Sequence, residues 1–101
     1  MKRGKNPHDV ESGPVLDVAG SMAIHALAFL AQDEERVERF LRLTGVNPDD
    51  VRARLNEAAF QLAVLDHLAE DERLLLAFAR AQSLSPAEID NARRALGGGE
   101  T

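Results

Sequence analysis

From Val15 to Gln32 the chain is apolar at nearly every position, and the polar exceptions, Asp17, Ser21, His25 and Gln32, fall on one narrow helical stripe. A helix with so little polar surface is predicted to be buried on most sides. Further along, the apolar positions keep a helical period but form one-sided faces: Val37, Phe40 and Leu41, then Leu74, Leu75 and Phe78, then Ile89, Ala92 and Leu96. Between them, Phe60, Ala63, Val64 and Leu68 line one side of a segment whose other side carries Ala58, Leu62 and Leu65. A helix apolar on two sides belongs at the centre of a core. Valine and isoleucine are sparse and never alternate with polar residues over a useful length, so no strand is predicted.

Start and stop signals divide this pattern into six short helices. The first is predicted over about 15–31, with Pro14 near its start. Asp33 is placed to cap the second, and Gly45 to end it in the left-handed conformation that a side chain disfavours. Asn47-Pro48 supplies N-cap and first residue for a third helix, with Asp50 near its positive end. Asn56 is the predicted cap of the fourth helix and Asp71 of the fifth. Ser85-Pro86-Ala87-Glu88 forms a capping box that opens the sixth, and Gly97-Gly98-Gly99 ends it.

Displaced by 38 positions, Ala23–Leu55 lies over Gln61–Arg93 without a gap, and eight of the 33 pairs are identical. These include Leu30/Leu68, Asp33/Asp71, Phe40/Phe78 and Pro48/Pro86. Other pairs keep their role: Asn47/Ser85 are N-caps, and Val37/Leu75 and Val51/Ile89 are apolar. The fold expected is therefore an all-α, compact bundle built from two tandem three-helix units, about 20–55 and 58–96. Two units are fewer than an open solenoid needs, which favours halves packed face to face with approximate twofold symmetry; a short superhelical stack is the other arrangement.

Composition sharpens this picture in three ways. With 101 residues, 45% hydrophobic and 29% charged, the chain suits one globular domain, 14–97, flanked by a mobile tail, 1–13, and a flexible end, 98–101. Having no cysteine, it has neither disulfides nor thiol chemistry, which fits a reducing compartment. Lys2, Arg3 and Lys5 make the start basic, whereas residues 9–101 set nine arginines against seventeen acids. An acidic body is a poor ligand for a phosphate backbone, so nucleic acid is not the expected partner. Asp9, Glu11 and Asp17 interrupt what a secretion signal would need as an apolar stretch. Val15–Ala31 contains Asp17, Ser21 and His25 and is short for a membrane span of about 20 residues.

Candidate chemistry is weak throughout. Asp17, Ser21 and His25 have the residue types of a hydrolase triad, but the serine lies between acid and base, where the histidine should be. Asp66, His67, Glu70 and Asp71 cluster near one helix junction. His67 nonetheless points with Phe60 and Val64, away from Asp66, as a histidine at the core boundary would, so no metal or cofactor is predicted. The fifth and sixth helices imitate a helix-turn-helix, but Glu88 and Asp90 would repel the groove they entered. What remains are two surfaces. Leu76 points off the buried face of its helix, beside Arg73 and Arg80, and Leu43 does the same on the second helix; together they are a candidate partner-binding patch. Arg52, Arg54, Arg93 and Arg94 lie late in repeat-equivalent helices and form a candidate anion-binding rim, although cations there also suit the helix dipole.

The segments Arg39-Phe-Leu-Arg-Leu-Thr-Gly-Val-Asn-Pro-Asp-Asp-Val-Arg52, Asp71-Glu-Arg-Leu-Leu-Leu-Ala-Phe-Ala79 and Ser85-Pro-Ala-Glu-Ile-Asp-Asn-Ala-Arg-Arg-Ala-Leu96 occur in this order. Together they resemble a domain-of-unknown-function family of short all-helical proteins from alphaproteobacteria, over roughly Ala19–Gly97. The resemblance implies a bacterial cytoplasmic protein and carries no catalytic or binding residues with it. The expectation is a non-enzymatic protein–protein interaction module; the alternative is nucleic-acid or anion binding through the basic tail and the arginine rim.

Overall fold

The structure, a computed structural model, describes residues 7–97, with side chains from Val18 onward. It is all-helical in the order α1 (Pro7–Ala31), α2 (Glu34–Thr44), α3 (a 3₁₀ turn Pro48–Asp50 continuing as Val51–Arg54), α4 (Ala58–Ala69), α5 (Glu72–Gln82) and α6 (Pro86–Ala95). The basic residues Lys2, Arg3 and Lys5, and Gly98 and Gly99, lie outside the described residues.

Most boundaries follow the local chemistry. Asp33 accepts from the backbone N–H groups of Glu35 (3.0 Å) and Arg36 (3.3 Å), and Asp71 from that of Leu74 (3.3 Å). Asn47 accepts from the Asp49 N–H at 2.9 Å. The capping box is complete: Ser85 Oγ accepts from the Glu88 N–H at 3.2 Å, and Glu88 Oε1 from the Ser85 N–H at 2.7 Å. These bonds satisfy donors that a helix start otherwise leaves open.

Two boundaries differ from expectation. α1 begins at Pro7, not near residue 15. Proline at a first helical position has its φ already set and no N–H to leave unpaired, so Pro7 and Pro14 are both start signals and the earlier one is used. Asn56 is not the cap of α4. The Glu57 N–H closes a turn onto the Arg54 carbonyl (2.9 Å), and the Glu57 carbonyl accepts the first helical bond, from the Gln61 N–H at 3.0 Å. Glu57 is thus the N-cap without a side-chain bond, and Gln61 Nε2 secures the turn by donating to the Leu55 carbonyl at 2.8 Å.

α4 is central, with α1, α2, α5 and α6 all packed on it, and Val64, Leu65 and Leu68 are at most 1% exposed. The seam of α1 that meets the core is Ala19, Ala23, Ala26 and Leu30, all buried. Small residues at that spacing let two helices approach closely. At Gly20 an added Cβ would lie 3.0 Å from the Gln61 amide, so Gln61 occupies the space that the glycine leaves. α1 is less enclosed than its composition suggests: Val18 is 62% exposed and Ile24 38%. The reason is area, because the neighbouring helices are too short to wrap a helix that is apolar nearly all round.

Repeat-equivalent features recur at the 38-residue interval. α2 and α5 have equivalent limits, and both end in the left-handed region, at Gly45 (φ 75°) and Ser83 (φ 57°). Phe29 of α1 meets Phe78 of α5 edge-on at 5.5 Å, and His67 of α4 meets Phe40 of α2 edge-on at 5.2 Å. His67 is the counterpart of Phe29, and Phe78 of Phe40, so the two contacts exchange partners between the units. The third helices of the two units differ: α6 lies along α1 and α4, whereas α3 has four α-helical residues after its 3₁₀ turn.

Gly45 and Ser83 predict opposite responses. Gly45→Ala meets no neighbouring atom but must hold a positive φ, and is expected to cost about 1 kcal/mol. Ser83→Gly relieves the same conformation and is expected to gain about 0.5 kcal/mol. Urea unfolding measures both, and changes of the same sign would show that φ is not the deciding factor.

Candidate functional site

Two of the concavities among the described residues differ in chemistry. The first is an apolar groove of about 480 Å³ between α1 and α6, lined by Val18, Ala19, Met22, Leu84, Glu88, Asn91, Ala92 and Ala95. Its floor is made of alanines from both helices, and its walls are Val18, Met22 and Leu84. It continues past Val18, Met22 and Leu84 into a shallower hollow bordered by Ser21, His25 and Gln82.

The second is a polar cleft of about 230 Å³ where α2, the end of α4 and the start of α5 meet. Arg36 and Arg39 come from α2, His67 from α4, and Asp71, Arg73 and Leu74 from the turn into α5. Arg36 is held in place from two sides. Its guanidinium lies 5.1 Å from the centre of the Phe29 ring and 3.7 Å from Asp33. Arg39 and Arg73 have no ion-pair partner among the described residues. Glu35/Arg39 and Glu38/Arg42, spaced four apart on α2, form no ion pair; in water such pairs contribute too little to hold two long side chains together.

His67 departs from expectation more sharply. It is 8% exposed, more deeply buried than expected, yet it lines the cleft. Its ring packs edge-on against Phe40, and its side chain makes no hydrogen bond among the described residues. Burial, reinforced by the positive charge of Arg39, lowers its pKa below the ordinary 6.5, and Glu70 and Asp71 only partly offset this. The acids grouped with it in the sequence turn elsewhere. Asp66 accepts from Arg93 Nε at 2.8 Å and Asp71 caps α5. Among the described residues no three His, Asp or Glu side chains stand close enough together to hold a metal ion.

Leu43 (60% exposed) and Leu76 (43%) do protrude, but neither lines the cleft or the groove. Arg80 is exposed on α5, and Arg73, three residues before Leu76 on the same helix, lines the cleft with Arg36 and Arg39. In the arginine rim, Arg93 donates to both Asp66 and Asp90, and Arg94 pairs with Asp90 at 2.7 Å. The Asp66 hydrogen bond raises the Arg93 pKa further. Arg52 and Arg54 are exposed on α3, a helix that does not pack along α6. Periodicity does not reveal the groove, because a helix apolar on nearly every side reads as enclosed. The signal was there, since a helix apolar on nearly every side of a 101-residue chain has more apolar surface than its neighbours can cover.

Because His67 is held neutral, the unfolded chain takes up this proton at a higher pH than the folded chain. The stability that a neutral His67 provides is present above pH 6.5 and is lost as the pH falls below that value through the depressed folded pKa. Thermal unfolding from pH 7 to about 5 is therefore expected to destabilise the native chain more than His67→Phe, which keeps the ring contact without the titrating group. Parallel losses in the two proteins would mean that other groups control the acid response.

Among the described residues no helix is long and apolar enough to cross a membrane. No curated protein and no solved structure matches the chain. A family model does, over residues 17–99, from within α1 to beyond the end of α6, and it describes a protein of unknown function (DUF3572). With most of its length matched, the chain belongs to the DUF3572 family.

Proposed function

We propose that the chain is a non-enzymatic interaction module that docks an apolar helical segment of a partner protein in the groove between α1 and α6. The observation behind this reading is Val18: a large apolar side chain 62% exposed at the lip of a groove floored by Ala19, Ala92 and Ala95. Alanines at the floor allow close approach of another helix, and Met22 adapts its shape to what it meets. Glu88 at the rim, on an acidic body, favours a partner whose apolar face is bordered by a cation. The Leu43–Leu76 patch offers single side chains without a concavity between them, and so is the weaker seat.

Nucleic-acid binding through the N-terminal cations and Arg52, Arg54, Arg93 and Arg94 has less support, since Asp66 and Asp90 already engage two of those arginines. The resemblance read from three sequence segments supports a bacterial cytoplasmic setting. The test is tagged purification from native cells after nuclease treatment. A stoichiometric partner captured by the native chain and by Leu43→Glu, but lost from Val18→Glu, is the expected result. Retention by Val18→Glu, with helicity intact, would move the docking surface away from the groove.

A further inference from the structure

We propose that the cleft formed by Arg36, Arg39, His67 and Arg73 is a binding site for the phosphate group of a small ligand. This site is separate from the α1–α6 groove and shares no lining residue with it.

Four observations converge. Cations from two helices surround one concavity, Arg36 and Arg39 on α2 and Arg73 on α5, with Asp71 the only acid lining it. Counting the lining groups alone, and His67 as neutral, the cleft carries +2, matched to a phosphomonoester dianion. Asp33 beside Arg36, and Glu70 near His67, lie at its margin and temper this charge.

Second, Arg39 and Arg73 are unpaired among the described residues, while Arg93 and Arg94 are engaged by carboxylates. On a chain with more acids than bases, guanidiniums left open around a hollow are available to an incoming anion. Arg36 is also pre-positioned by Phe29 and Asp33, which reduces the ordering that binding requires.

Third, His67 is more than nine-tenths buried, lines this cleft and has no hydrogen-bond partner among the described residues. A buried polar group left unpaired is destabilising. Its repeat counterpart Phe29 makes the same edge-on contact with no polar atom. Packing alone therefore does not require a histidine here, whereas an anion in the cleft would give its ring N–H an acceptor.

Fourth, size restricts the ligand. About 230 Å³ is below the ~300–1,000 Å³ of pockets that enclose a whole drug-sized molecule. It suits a phosphate group with the rest of its carrier in solvent. A single carboxylate is satisfied by one guanidinium fork, whereas the oxygens of a phosphate can engage several.

The experiment follows the His67 ring resonances by NMR, and the melting temperature, as inorganic phosphate is added above neutral pH. Potassium chloride at equal ionic strength, succinate and glycerol 1-phosphate are run in parallel. Millimolar phosphate is expected to shift the His67 signals, raise the His67 pKa and stabilise the fold, while chloride does none of these. Arg39→Gln/Arg73→Gln alters two exposed side chains and is expected to weaken binding at least about tenfold, because charged hydrogen bonds to the phosphate are lost. Tighter binding of glycerol 1-phosphate identifies a phosphorylated metabolite as the source, and equal binding identifies free phosphate; either supports the site. An equal response to chloride or succinate, no response to either phosphate, or undiminished binding by the double variant would overturn it. Val18→Glu should retain the phosphate response, so failure of the groove and failure of the cleft are told apart.

Discussion

Val64 and Leu65 are neighbours in sequence, about 100° apart around α4, and neither is more than 1% exposed. Covering both, together with Leu68 and Phe60, requires apolar walls on more than one side of a single helix. α1, α2, α5 and α6 all meet that requirement by packing on α4, so its burial sets where each of them lies. The alanine seam of α1 makes the nearest wall possible. Larger residues at Ala19, Ala23 and Ala26 would hold the two backbones apart and leave the α4 side chains partly wet.

The apolar groove arises where this covering runs out. α6 reaches across α1 and α4, but its inner face next to α1 is built from Ala92 and Ala95, which are too short to fill the gap to Val18 and Met22. The polar cleft has a different origin. At its base His67 stands where the other unit has Phe29, so the ring contact survives but a polar edge reaches the junction of α2 and α5. At equivalent positions of the 38-residue correspondence, one ring is purely apolar and the other carries polar atoms.

The helices themselves were legible because their limits depend on short-range hydrogen bonds. Asp33, Asn47, Asp71 and the Ser85–Glu88 box act on donors within three residues, and each is found where the sequence places it. Pro7 and Glu57 show the limit of such reading. Two start signals compete in the first case, and in the second a glutamine side chain from the next turn closes the loop instead of the expected cap.

From the sequence by itself come the all-helical class, the caps, the central place of α4, the 38-residue correspondence and the protrusion of Leu43 and Leu76. All of these rest on periodicity or on contacts within a turn or so. Only the tertiary structure decided which cations stand together. Arg36 and Arg39 are more than thirty residues from Arg73, and nothing local indicates that α2 and α5 present them to the same hollow. The same holds for Asp66, which is drawn from its sequence neighbours to Arg93 of α6. Side-chain partnership across helices depends on how those helices are turned about their axes, and that rotation is set by packing on α4.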